Sequence, residues 1–159
     1  MKTITKQNTT EIINRLKEKN ETITFAESCT GGRIASEFTA ISGASSVLNG
    51  SCVTYSNEIK SQWLGVDEQI LINHGAVSSQ CVEAMLKGVV KMTNAEHGIA
   101  VSGIAGPTGG TAQKPIGTVY LGVNINGAIH VEHHLFQGNR GSIQTQATEV
   151  AIALFKKLL

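Results

Sequence analysis

Thr22-Ile23-Thr24-Phe25-Ala26-Glu27-Ser28-Cys29-Thr30-Gly31-Gly32 passes from one backbone regime to another within a short span. Thr22 to Ala26 is β-branched and aromatic and predicts a strand. Glu27 to Gly32 is small, polar and ends in paired glycines, which suits a sharp turn, and Arg33 to about Ala40 then predicts a helix. Strand, tight turn, helix is the opening unit of an α/β fold. Upstream, Ile12, Ile13 and Leu16 predict a first helix over Thr9 to Lys19. Downstream, Ser51 to Tyr55 predicts a second strand, and Ser56-Asn57-Glu58 caps a helix carrying Lys60 and Trp63. A short helix follows Asp67. Ser78 or Ser79 caps a longer one over Gln80 to Met92, with Val82, Met85, Leu86, Val89 and Val90 on its apolar face. Gly98 to Ser102 is a compact apolar run, the pattern of a strand covered on both faces.

Thr118 to Ile125 and Ala128 to Phe136 flank Asn126-Gly127, a strong signal for a type I′ hairpin. The sheet is therefore expected to be mixed, with an antiparallel pair added to a mostly parallel arrangement. A final amphipathic helix over Gly141 to Leu158 turns Ala147, Val150, Ala151 and Leu154 inward. The expected fold class is α/β, a three-layer α/β/α sandwich. No linker, charge block or internal repeat divides the 159 residues, so a single domain over 1–159 is expected.

Composition narrows the function classes. The net charge is +1, which lacks the basic surplus of a nucleic-acid-binding module. Hydrophobic residues make up 41% of the chain, far from a disordered composition. No apolar run is long enough to span a bilayer, and the polar start MKTITKQNTTEI is no signal peptide. Cys29, Cys52 and Cys81 form an odd set without CxxC spacing. A cytoplasmic protein with free thiols is expected, without nucleic-acid or membrane partners.

In open α/β sheets ligands collect beyond the carboxyl ends of the parallel strands. Glu27 to Gly32, Ser102 to Gly110 and Gln137 to Gly141 each follow a predicted strand, and Tyr55 to Lys60 begins at the end of another. Ser28 stands at a strand-to-helix turn, where free backbone N–H groups suit a phosphate or an oxyanion. The alternative is a plain helix cap with permissive glycines. The turn is neither a Walker A loop nor GxGxxG. Lys60, early in a helix, reads as a base for a serine if its pKa is lowered, or as an ordinary surface lysine. Gly103 to Gly110 reads as close backbone approach to a ligand or as tight loop packing. Arg140 suits a phosphate or carboxylate, or merely flanks the last helix. His130, His133 and His134 sit on a strand with no accompanying carboxylate cluster, so exposed edge-strand histidines are expected in place of a metal site. Cys29 also lies near a helix N-terminus, but no His–Asn pair supports it as a nucleophile. Cys52 and Cys81 read as core residues.

Over about Glu11 to the C-terminus the chain resembles the C-terminal domain of the competence-associated CinA proteins. The resemblance rests on Ala26-Glu27-Ser28-Cys29-Thr30-Gly31-Gly32, Gly43-Ala44-Ser45, Tyr55-Ser56-Asn57-Glu58 with Lys60, Gly75-Ala76-Val77-Ser78, Gly103-Ile104-Ala105-Gly106-Pro107 and Gly117-Thr118-Val119-Tyr120. Stand-alone members of that family are nicotinamide mononucleotide deamidases. The resemblance thus implies hydrolysis of the carboxamide of nicotinamide mononucleotide to nicotinic acid mononucleotide and ammonia, returning nucleotide to NAD synthesis. It implies a serine/lysine hydrolase with no metal and no cofactor, and it places Ser28, Ser45, Tyr55, Lys60, Ser102 and Arg140 in the active site.

The expected roles follow. Neutral Lys60 takes the proton of Ser28, with Ser28 favoured over Ser45 as nucleophile, and Tyr55 and Ser102 orient the network. Thr30, Gly31, Gly32, Gly103, Gly106 and Arg140 bind the substrate. The rival classes are a nucleotide- or partner-binding module without turnover and an amidase for another small amide. Two departures from the family pattern stand out: Ser102 in place of Thr, and Thr108 in place of Gly after Pro107. The larger N-terminal domain of full-length members is absent from this sequence, and its activity is expected to be absent too. A homo-oligomer is expected for a small enzyme of this kind.

Overall fold

A computed structural model describes residues 2–159. The elements run α1 (Thr3–Lys19), β1 (Ile23–Glu27), α2 (Arg33–Thr39), β2 (Leu48–Val53), α3 (Asn57–Leu64), α4 (Glu68–His74), α5 (Ser79–Thr93), β3 (His97–Gly103), β4 (Thr118–Ile125), β5 (Ala128–Leu135) and α6 (Arg140–Leu158). The five strands form one sheet in the order β2-β1-β3-β4-β5. β1 pairs parallel with both β2 and β3, while β3–β4 and β4–β5 are antiparallel. The mixed sheet is present, but its antiparallel half equals the parallel half. The reason is that β4 returns beside β3 through a loop with no crossover helix, and a parallel partner needs such a crossover.

Two apolar layers enclose the sheet. Ile12, Leu16, Phe25, Phe38, Val101 and Phe155 belong to the core under α1, α2 and α6. Ala26, Leu64, Val82, Met85, Leu86 and Ala100 form the core under α3 and α5. Phe25 and Ala26 are neighbours on one strand and serve opposite layers, because successive strand side chains point to opposite faces. β1 and the first six residues of β3 are buried throughout, as expected for strands covered on both sides. Asn126 and Gly127 take φ of 50° and 92°, the left-handed pair that a type I′ turn requires.

Two boundaries move. The first helix begins at Thr3, six residues before the expected Thr9, because Thr5 and Thr9 are buried and Thr9 returns its hydroxyl to the Thr5 carbonyl. β2 lies over Leu48–Val53 where Ser51 to Tyr55 was expected, because pairing with β1 starts at Leu48 and ends at Val53. The last tie is Thr54 N–H to the Glu27 carbonyl, and Tyr55 is then released from the sheet.

Candidate active site

The site lies at the carboxyl ends of β1, β2 and β3. Ser28 is the first residue past β1. Its N–H still bonds the Val101 carbonyl at 3.0 Å, so the turn starts with no slack. Beneath it Glu27 is fully buried and is the keystone of the turn. One carboxylate oxygen accepts from Thr30 Oγ1, Gly32 N–H and Ile34 N–H, and the other accepts from Ala35 N–H. Those donors include the orphan amides at the start of α2, which a helix cannot satisfy internally. Gly31 donates to the Ser28 carbonyl. Among the described residues the N–H groups of Cys29 and Thr30 meet no acceptor.

Lys60 reaches Ser28 from the opposite layer. Ser56 caps α3 by accepting from Ile59 N–H. Lys60 and Leu64, one turn apart, are the buried positions of this helix. The lysine is only 1% exposed. Its Nζ lies 2.9 Å from Ser28 Oγ, 2.8 Å from the Thr54 carbonyl and 3.1 Å from the Tyr55 carbonyl. Burial pushes its pKa below the usual lysine value of 10.5. A neutral amine has two N–H donors and one lone pair. In that form, donation to the two carbonyls would leave the lone pair for the serine hydroxyl, whereas an ammonium donates to all three oxygens.

Arg140 opens α6 after the Asn139 cap. Its guanidinium donates to the Gly106 carbonyl at 2.7 Å and to the Tyr55 hydroxyl at 2.8 Å. Ser28, Tyr55, Lys60, Ser102, Gly103 and Arg140 line one cleft of about 250 Å³, with Ala76, Val77 and Ile104 as apolar walls and Asn57 at its edge. A larger groove of about 610 Å³ runs past Trp63, Lys87 and Met92. Its lining holds Gln62, Lys87 and Lys91 but no serine, cysteine or histidine.

Several expected roles change. Ser45 is exposed in a single 3-10 turn, Ala44–Ser46, just before β2 begins. β1 and β2 are parallel, so this turn is at the amino ends of the strands, roughly 16 Å from the site at ~3.3 Å per strand residue. Ser45 does not reach Lys60. The Thr30 hydroxyl is spent on Glu27, and the Gly31 and Gly32 amides bond Ser28 and Glu27, so these three residues build the turn and leave only the Thr30 N–H for a ligand. Tyr55 is divided between two tasks: its carbonyl accepts from Lys60, while its hydroxyl accepts from Arg140. Gly103 packs the cleft floor, because a Cβ there would come within 2.6 Å of Val119 Cγ2 and 2.9 Å of the Thr118 carbonyl. Gly106 contributes its carbonyl to Arg140.

Cys29 is buried, and burial pushes its thiol up to about 12. It is a protonated thiol at neutral pH and no nucleophile. Native protein treated with iodoacetamide at pH 8 should remain unlabelled at Cys29 by mass spectrometry, while unfolded protein should label fully. His130 and His134 share a face of the edge strand β5 with Glu132, a carboxylate the sequence reading passed over. Glu132 lies 3.4 Å from one ring and 2.7 Å from the other.

The CinA C-terminal domain family matches residues 5–159. The chain belongs to that family. It is 43% identical over 148 residues to a CinA-like protein of Thermotoga neapolitana and 41% identical over 146 residues to one of Dictyoglomus turgidum, covering 93% and 92% of this chain. The chain spans 36% of the length of each of these curated relatives. Among solved structures, the competence/damage inducible protein CihA of Agrobacterium tumefaciens superposes with a TM-score of 0.94 at 35% identity, covering 97% of this chain and 94% of that one. A competence damage-inducible protein A of Klebsiella pneumoniae gives 0.93 at 34% identity, covering 96% and 95%. The α/β fold with its mixed sheet is thus the CinA C-terminal fold. Among the described residues no helix is long and apolar enough to cross a membrane.

Proposed function

We propose that this CinA domain is an amidohydrolase that converts nicotinamide mononucleotide and water to nicotinic acid mononucleotide and ammonia. The observation that carries the reading is the buried Lys60 amine 2.9 Å from Ser28 Oγ, at a turn with two unpartnered amides. A serine hydroxyl is a weak nucleophile until a base takes its proton. Neutral Lys60 accepts that proton as Ser28 attacks the carboxamide carbon. The Cys29 and Thr30 N–H groups receive the developing oxyanion, a role that backbone amides beside a nucleophile perform without reorganisation. The lysine, now charged, returns a proton to the departing nitrogen and ammonia leaves. Water then cleaves the acyl-enzyme with Lys60 again as base. The pyridinium charge of the substrate makes the carbonyl carbon more electrophilic throughout.

Arg140 supplies the nucleotide end. Two of its N–H groups are held by Gly106 and Tyr55, which fixes the plane of the guanidinium and leaves further donors for a 5′-phosphate. Release of ammonia from nicotinamide mononucleotide by the purified protein tests the reading directly. Its absence, with substrate still bound, marks a binding module. Arg140→Ala should raise KM for the nucleotide by about ten- to a hundredfold, the loss of a charge-assisted contact of roughly 1.5–3 kcal/mol. KM for nicotinamide riboside, which lacks the phosphate, should barely move. Equal losses on both substrates would remove Arg140 from phosphate binding.

A further inference from the structure

We propose that Gln144 is a positioning residue that aims the Thr30 N–H at the reacting carbonyl oxygen. This rests on the Ser28–Lys60 reading above. Gln144 sits one turn after Arg140 on α6 and is 8% exposed, a polar side chain among the inward residues Ile143, Ala147 and Thr148. Its Nε2 donates to the Cys29 carbonyl at 3.0 Å, a contact across 115 residues of sequence.

A carbonyl only accepts, so the amide nitrogen must be the atom that faces it. In a trans peptide the C=O and the following N–H point in opposite directions. Holding the Cys29 carbonyl toward α6 therefore holds the Thr30 N–H away from α6. That direction is toward the layer from which α3 delivers Lys60 to Ser28. Glu27 grips the same residue through the Thr30 hydroxyl, so the peptide plane is clamped on both sides of the amide. Arg140 and Gln144 are four residues apart and share a helix face. α6 thus sets the spacing between the anion-binding end of the cleft and the amide donor at its reacting end.

Gln144→Met keeps the length and removes the donor. The expected result is a fall in kcat of roughly ten- to a hundredfold with KM within about twofold, somewhat less than deletion of a whole oxyanion donor. Gln144→Arg, which restores an N–H donor, should recover most of kcat. If Gln144→Met does not fold, Gln144→Glu, of equal length and without the donor, carries the same expectation. The same variants are assayed for acylation of Ser28 by p-nitrophenyl acetate, followed by intact mass. This probe needs neither Arg140 nor a nicotinamide ring. Wild-type protein that acylates without deamidating nicotinamide mononucleotide overturns the substrate and leaves the role of Gln144 measurable on the ester. Wild-type protein that does neither overturns the Ser28–Lys60 reading and this proposal with it. Wild-type kcat in Gln144→Met, a loss confined to KM, or equal losses in the Met and Arg variants each overturn the positioning role.

Discussion

Lys60→Arg is expected to cut turnover of nicotinamide mononucleotide by at least ~10³-fold, near the upper end of what a positioned base contributes. Arginine keeps a positive charge and can fill the space near the Thr54 and Tyr55 carbonyls, but it stays protonated and offers no lone pair to Ser28. The wild-type rate should carry the signature of the same group. Burial disfavours the charged ammonium, so the Lys60 pKa lies below 10.5. The active form is the neutral amine. Thus kcat/KM should climb as pH rises toward that lowered pKa and level off above it. The arginine variant should lose this limb altogether. Ser28→Ala should give no acyl-enzyme by intact mass, whereas Ser45→Ala, at the far end of the sheet, should acylate like wild type. A Lys60→Arg protein with near-wild-type turnover would end the serine/lysine mechanism.

Glu27→Ala is expected to cost about 3–5 kcal/mol of stability, because it strands several buried donors at once at roughly 1–3 kcal/mol each, partly relieved by entering water. For a domain of this size that lowers Tm by about 10 °C or more. Glu27→Gln is the informative companion. It preserves the shape but presents one amide NH₂ where a carboxylate oxygen had accepted, so either Ala35 N–H or the three donors on the other oxygen lose their partner. An intermediate loss is expected, read by thermal unfolding at neutral pH. Stabilities of both variants equal to wild type would show that α2 and the Ser28 turn are held by packing alone.

The strand–turn–helix at Thr22 to Ala40, the Asn126-Gly127 hairpin, the Ser56 cap and a cap at Ser78 or Ser79 were legible in the sequence, because each is a local event. Side-chain oxygens three residues from an orphan amide, left-handed φ at two adjacent positions, and an apolar run over one strand are set within a few residues. Proximity of Ser28, Lys60 and Arg140 was legible more coarsely, since each follows a strand and α/β topology gathers such loops at one end. The same reasoning favoured Ser28 over Ser45 without settling the choice. Both occupy small-residue turns, and only the parallel pairing of β1 with β2 sends one turn to each end of the sheet. Lysine at an inward helix position, one turn from Leu64, was a readable signal for burial. The seat of its amine beside Ser28 depends on two carbonyls that present themselves only once β2 has ended at Val53. Glu27 read as the first residue of a polar turn, and Gln144 drew no reading of its own. Their hydrogen bonds are made across an unpredictable turn geometry in the first case and across 115 residues in the second. Local sequence specified the elements and the residue types at the cleft, whereas burial and long-range pairing brought Lys60 against Ser28 and fixed the turn that carries it.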